Sequence, residues 1–476
     1  MPRRILIAGA AALAAYLLFF HAIGNVGLLS ADEPRYASIG RHMAQSGDWI
    51  TPTLWGQPWF EKPALLYWMI GAAFRAGLHH EIAVRLPIAL ASTAFLLFFW
   101  LFLRRHFNPN AALYSTLILA TSAGWLAFSQ IGVTDLPLAV TLSTALLLAM
   151  PWASGQPTSR LWPAGLFLAL AILAKGLVPL ILILPALWMG RNHLAKLLPP
   201  ALICMTAAAP WYLLCYQING AIFFNEFILK HHFSRFSATD LQHVQPFWFY
   251  LPVLLAGLFP WTPLTALLYH LKNPLQHDLR IRYLTLWFLV GFLFFSASVN
   301  KLPGYLLPIL PPLAALLGIS LDKASTRWPL ALSALLLSFI PVLADILPQS
   351  LRSGISRADF PPIPWIWLAA ALITSLLILR IPTRPALLLI TTLTIAAVTW
   401  TKHHTYPILD ETVSARSLHR KIPPNAGICI DQLHRTLHYG LNYYSNKLIP
   451  DCESHPAPLR LSVSGSRIQL LLPQSQ

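Results

Sequence analysis

The chain has 476 residues, 56% of them hydrophobic and 11% charged, with 33 Lys and Arg against 17 Asp and Glu for a formal net charge of +16. So apolar a composition excludes a water-soluble multidomain protein. Nor does the positive charge point to nucleic acid, because nearly half of the basic residues fall in short loops between apolar runs and no basic–aromatic patch accompanies them.

A helix of about 20 residues crosses a hydrocarbon layer roughly 30 Å thick. Runs of this kind recur at 5–24, 87–103, 111–130, 134–152, 161–174, 177–190, 197–215, 247–270, 282–299, 304–321, 328–347, 362–380 and 384–400, which predicts thirteen spans. The fifth and sixth are divided at Lys175-Gly176, since one long span would leave a lysine near the middle of the membrane. With the N-terminus inside, the inner loops carry Arg3/Arg4, Arg104/Arg105, Arg160, Arg191/Lys196, Lys272/Arg280/Arg282, Lys323/Arg327 and Arg380/Arg384, as the positive-inside rule requires. Of the 17 acids, only Asp278 and Asp322 fall in those loops. The first run is preceded by two arginines but ends in HAIGNVG, a poor cleavage site, so it reads as a retained span.

Two long external segments interrupt the spans. The first, 25–86, holds two short helical patterns. EPRYASIGRHMAQS follows Asp32, a good N-cap, places Tyr36, Ile39 and Met43 on one stripe and stops at Gly47. PALLYWMIGAAFRA starts at a first-turn proline and is too short to span, so it is expected to lie in the outer interface. The second external segment, 216–246, is rich in polar and ring-bearing residues. After the spans, 401–476 is polar, with β-like runs at AGICI and LRLSVSG around a helix-like DQLHRTLHYGLNYY. The expected organisation is a transmembrane unit over 1–400 and a small external α/β unit over 401–476. Cys204 and Cys215 read as packing residues, whereas Cys429 and Cys452, both external, suggest a disulfide or two free thiols.

Charges gather at five external junctions. Asp32 and Glu33 follow the first span; they read either as a solvated pair at a helix N-terminus or as a general base with a ligand organiser. In Glu61-Lys62-Pro63 the proline favours an extended lysine, so the two side chains are expected to diverge and serve different partners, with a surface ion pair as the plain alternative. Asp135, in GVTDLP, is either an N-cap or a second acid at the same face. In KHHFSRF, His232 and Arg235 are three apart, which suits a phosphate or a metal; solvated loop residues would look the same. In NKLPGYLLP, Lys301 and Tyr305 stand at the junction of the ninth and tenth spans, where a snorkelling lysine and an interfacial tyrosine are also common. Together these acids and bases at the bilayer edge fit an anionic, lipid-anchored substrate such as a polyprenyl phosphate sugar.

The run ADEPRYASIGRHMAQSGDWITPTLWGQPWFEKPALLYW, followed by GVTDLPL, AKGLVPL, HHFSRF, PFWFYLP, FPWT and NKLPGYLLP, resembles the bacterial aminoarabinose transferases of lipid A, within the protein O-mannosyltransferase-like group of GT-C glycosyltransferases. The likeness is dense over 5–321 and rests on topology beyond. It implies an all-α polytopic GT-C fold of about thirteen membrane helices with external loop helices, and a monomer in the bacterial inner membrane with a periplasmic active site. It implies an undecaprenyl-phosphate-linked sugar donor and no nucleotide cofactor. The acceptor would be lipid A or another periplasmic group. Carried over position by position, Asp32, Glu33 and Asp135 become the catalytic acids. Lys62, Arg235, Lys301 and Tyr305 become donor phosphate ligands, and Glu61 and His232 the residues for an optional divalent metal, zinc, magnesium or manganese. The external tail is shorter than in the aminoarabinose transferases. A protein O-mannosyltransferase-like enzyme for another acceptor is the nearest alternative. A lipid-linked anion flippase is a more distant one, since transporter sites tend to lie at the midplane.

Overall fold

A computed structural model of the chain describes residues 2–156, 161–234, 244–423, 426–431, 433–455, 459–464 and 467–471. Each of the thirteen apolar ranges has a helical counterpart. Among the described residues seven helices, including His80–His106, Asp135–Ala153 and Pro303–Lys323, are long and apolar enough to cross a bilayer. The protein is therefore a multi-pass membrane protein. Shorter apolar helices, Ile5–Phe20, Trp162–Lys175, Val178–Met189 and Trp365–Ile378, occupy four of the other ranges.

Two ranges expected to be single straight helices are broken. The run 247–270 forms two pieces, Phe247–Gly257 and Thr262–Leu271, bent by 103°. Pro260 lies in the break, where it can donate no backbone hydrogen bond to continue the helix. The run 111–130 is divided at Ser122, whose backbone is extended between Pro109–Thr121 and Ala123–Phe128. The breaks meet: Ala123 N–H donates to Phe259 O (2.9 Å) and the Trp261 indole N–H to Thr121 Oγ1 (2.9 Å). One backbone amide at the Ser122 break is thus satisfied by a carbonyl at the Pro260 break, and a side-chain bond ties the two together. Close helix packing uses small residues here. A Cβ on Gly318, in the helix Leu310–Lys323, would fall 2.2 Å from Ser115 Oγ on Pro109–Thr121.

The helix Thr383–Thr412 continues past residue 400. Its buried Lys402 donates to the carbonyls of Leu17 (3.0 Å), Leu18 (2.9 Å) and His21 (3.1 Å), capping the end of the first helix. Outside the spans, the helix Asp32–Ser46 buries Tyr36, Ile39 and Met43, and Gly47 ends it at φ +77°. The short helix Leu65–Arg75 lies against it and, at about 16 Å, cannot span. Between them a two-stranded hairpin, β1 (Thr53–Leu54) and β2 (Gln57–Pro58), turns at Trp55 and Gly56, both at positive φ.

The C-terminal unit has strands β3 (Ile428–Ile430), β4 (Leu459–Ser464) and β5 (Arg467–Leu471) in that order, β3 parallel and β5 antiparallel to β4. The helix Arg435–Ser445 stands between β3 and β4 in the chain. Cys429 and Cys452 form a disulfide across a separation of 23 residues, so this helix lies inside the closed loop. Closing a loop of that length stabilises by about 3 kcal/mol in the chain-entropy view. Replacing both cysteines by serine is expected to raise hydrogen exchange in 428–452 by a comparable free energy while leaving the helix Leu310–Lys323 protected; equal protection of 428–452 with and without the bond would contradict this.

Candidate active site

The site begins with the helix Asp32–Ser46. Helical spacing puts Asp32 and Arg35 on one face, and the Arg35 guanidinium grips the Asp32 carboxylate through Nη2. Its Nη1 donates to Glu61 Oε2 (2.9 Å) and its Nε to Ala31 O (3.1 Å). Lys62 Nζ lies 3.1 Å from Glu61 Oε1. The expectation that Glu61 and Lys62 diverge is overturned. The chain bends at these residues, and with both side chains only 12% exposed, pairing spares each an uncompensated charge. Burial works against the charge of Arg35, and Glu61 and Asp32 more than offset it, holding the guanidinium above its ordinary range. Asp32 is not itself the N-cap, a position held by Ala31, and is the open member at 44% exposure.

Glu33 lies elsewhere. It is fully buried and paired with the equally buried Arg85 through two bonds of 2.8 Å. The remaining acceptor capacity of Glu33 takes the amide N–H groups of Leu29 (2.7 Å) and Gly132 (2.9 Å). Arg85 donates its other hydrogens to the carbonyls of Ile23 (3.0 Å), Val26 (2.7 Å) and Gly27 (2.9 Å). Expected among the catalytic acids, Glu33 instead joins four stretches of chain: the loop 23–29, the helix bearing Asp32, the helix His80–His106 and the turn before Asp135.

Asp135 opens the helix Asp135–Ala153, and its Oδ1 is 2.5 Å from Lys175 Nζ, at the end of Trp162–Lys175. The ammonium also stands 4.5 Å from the centre of the Tyr305 ring. Gly304 permits this approach, since a Cβ there would fall 2.7 Å from Asp135 Oδ1. Asp135 and Tyr305 are thus brought together. Lys301 is not at this cluster's charges: 4% exposed, it donates to the carbonyls of Gln245 (3.1 Å) and Ser298, fastening 298–301 to 244–245 beside the Val244–Asn300 bridge.

The apolar wall beside Glu61 comes from the second external segment and the helix before it. Phe60 packs edge-on to Phe223, which stacks on Phe227, while Trp211 Nε1 donates to Ile50 O (3.0 Å) and Asn219 to Thr51 Oγ1 (2.9 Å). Cys204 and Cys215 are buried, unbridged members of this wall. Arg235 lies outside the described residues, and of His232 only the backbone, in the helical stretch Phe224–Ser234, is described. Among the described residues no three His, Cys, Asp or Glu side chains gather as metal ligands. Both Glu61 oxygens face cations, and the side chain of His232, the other residue expected at a metal, lies outside the described residues.

Two residues of this constellation, Arg35 and Lys175, carry no assigned role in the sequence reading. Arg35 sits one turn from Asp32, and that spacing was the available signal. Lys175 was taken only as a reason to end a span, although its need for a buried counter-ion pointed to an acid such as Asp135.

A family profile described as dolichyl-phosphate-mannose-protein mannosyltransferase matches residues 61–214. Curated relatives include an undecaprenyl phosphate-alpha-4-amino-4-deoxy-L-arabinose arabinosyl transferase of Pseudomonas fluorescens, 34% identical over 65% of this chain and 58% of that one. A like-named transferase of Shewanella sediminis is 33% identical over 65% and 58%. The chain thus spans under three fifths of the length of the relatives it matches. Among solved structures, ArnT from Cupriavidus metallidurans bound to undecaprenyl phosphate superposes with a TM-score of 0.76 at 21% identity, over 96% of this chain and 93% of that one. The oligosaccharyltransferase AglB of Archaeoglobus fulgidus gives 0.52 at 13% identity, over 94% and 64%. The chain shares its fold with these membrane proteins and is similar in sequence to undecaprenyl phosphate-aminoarabinose arabinosyl transferases over 65% of its own length.

Proposed function

We propose that the protein is an inner-membrane glycosyltransferase that moves a sugar, 4-amino-4-deoxy-L-arabinose or a close analogue, from undecaprenyl phosphate to lipid A at the periplasmic face. The observation that carries this reading is the linked set Asp32–Arg35–Glu61–Lys62 in the loop after the first helix, tied through Glu33 to the turn that bears Asp135. The names of the relatives supply the donor and the sugar.

In the transfer, an acceptor oxygen attacks the anomeric carbon from the face opposite the leaving group. The bond from that carbon to the phosphate oxygen breaks, and undecaprenyl phosphate departs with the electron pair, so the configuration inverts. Lys62 is assigned to the phosphate: as negative charge grows on the leaving oxygen, its ammonium exchanges Glu61 for the phosphate and stabilises the transition state in a partly dehydrated site. Arg235, at a position the resemblance assigns to phosphate, would add a second cation. Asp32, the most open acid, is placed to orient an acceptor phosphate or to take the proton of an acceptor hydroxyl. Asp135 and Lys175 form a second charged pair beside Tyr305, suited to the polar groups of the sugar. The sugar arrives on a lipid phosphate, so no nucleotide is needed.

The test is the mass of lipid A from cells with the gene intact, deleted, and restored with Lys62→Ala. Loss of an aminopentose-sized increment in the last two, with donor lipid accumulating, is expected. Unchanged lipid A on deletion would move the activity to another acceptor.

A further inference from the structure

The Arg35 guanidinium is enclosed by three rings, with its central carbon 5.5 Å from the centre of Trp59, 5.6 Å from Tyr439 and 5.9 Å from Tyr36. Two of these belong to the loop that carries the acids. Tyr439 comes from the opposite end of the sequence, on the helix Arg435–Ser445 of the C-terminal unit, and its ring also meets Trp55 at 5.2 Å on the hairpin turn.

That helix is fixed to the membrane unit by bonds that leave it little freedom. Arg41 donates to Tyr443 O (2.9 Å) and lies 4.4 Å over the Tyr443 ring. The Tyr444 hydroxyl donates to Glu81 Oε1 (2.7 Å) and accepts from the Leu28 amide (2.8 Å), four residues before Asp32. Gly440 packs without a side chain against Ala415, where a Cβ would come within 2.5 Å. The helix thereby reaches both the loop before Asp32 and the guanidinium that holds Asp32 and Glu61.

A planar guanidinium is attracted to ring faces, and rings on several sides restrict the directions in which its fork can point. Without one of them Arg35 has more orientations available, only some of which keep both carboxylates engaged. We propose that Tyr439 is a positioning residue for the transfer, holding Arg35 so that Asp32 and Glu61 stay in place while Lys62 leaves Glu61 for the donor phosphate. The C-terminal unit then completes the site. This rests on the function proposed above.

The test compares Tyr439→Phe and Tyr439→Ala in the full-length protein in detergent. One readout is steady-state transfer from the donor lipid. The other, independent of activity, is phenylglyoxal labelling of Arg35 read by peptide mass, with exposed Arg352 as internal reference. Phenylalanine keeps the ring and is expected to stay within about twofold of the wild type in both readouts. Alanine is expected to lower kcat about tenfold, as small misplacements of catalytic groups do, with donor KM and the thermal midpoint little changed. It is also expected to label Arg35 several-fold faster. Unchanged labelling in Tyr439→Ala, or faster labelling with wild-type kcat, would overturn the positioning role. A loss in Tyr439→Phe equal to that in Tyr439→Ala would overturn it too, by showing that the hydroxyl acts and not the ring. If the wild-type protein transfers no sugar while labelling responds to Tyr439→Ala, the proposed function fails and the stacking on Arg35 stands.

Discussion

Glu33→Ala is expected to be among the most destabilising single substitutions in this chain, at about 3–5 kcal/mol, because it leaves Arg85 buried without its counter-ion. Arg85 is 1% exposed, and with the carboxylate gone it keeps only the carbonyls of Ile23, Val26 and Gly27. The amides of Leu29 and Gly132 would lose their acceptor at the same time. Each buried donor left unmade costs about 1–3 kcal/mol more. The damage should spread along the four stretches that meet at the pair. Detergent-solubilised Glu33→Ala is expected to aggregate or to melt well below the wild type. Arg85→Met with Glu33→Leu, which removes both charges and keeps apolar volume, should recover much of the loss. A Glu33→Ala protein that melts with the wild type and fails only in transfer would restore the sequence-based assignment of Glu33 to the chemistry.

Why sequence reading paired Asp32 with Glu33 as catalytic acids is plain from this contrast. Adjacent residues of like charge after a membrane span look equivalent in one dimension. On a helix they point about 100° apart, so one meets the open site and the other enters the core. Nothing local distinguishes them; the counter-ion of Glu33 is Arg85, which the sequence reading left in the external segment 25–86 just before the span 87–103 and which the structure places in the helix His80–His106.

Much of the rest was legible. The apolar runs suffice to locate helical segments, because hydrocarbon leaves the backbone few choices. The stripe of Tyr36, Ile39 and Met43 and the stop at Gly47 came from helical period and a left-handed glycine, both local effects. The breaks at Ser122 and Phe259–Trp261 were not legible, since the bonds that join them link segments more than 130 residues apart in the chain. The Trp55–Gly56 turn was missed because its flanking strands have two residues each, too short for an alternating pattern. The partners of Lys301 were not legible for a related reason: a lysine before a span usually snorkels or binds a ligand, and here carbonyls of two separate loops meet its ammonium. The contact of Tyr439 with Arg35 joins residues separated by 404 positions, which no local pattern signals.

Asp32→Asn is expected to abolish most of the transfer while sparing the fold, the reverse of the pattern at Glu33. The Asp32 side chain is about half exposed and, among the described residues, is bonded to Arg35, which keeps Glu61, so no buried group is orphaned by the change. Asparagine can still accept a hydrogen bond from Arg35 but offers neither a base nor a charge. If the acceptor is a hydroxyl, loss of the base should lower kcat by about 100-fold or more, equivalent to at least 2.7 kcal/mol of barrier. If the acceptor is a phosphate, already anionic, the loss should be smaller and should appear partly in the acceptor KM, because the role of Asp32 is then to orient. Donor KM should stay near the wild type in both cases, since Lys62 is assigned to the donor phosphate. Measuring kcat and both KM values on purified Asp32→Asn separates the two mechanisms, and a variant that loses donor affinity as much as turnover would remove Asp32 from the acceptor side altogether.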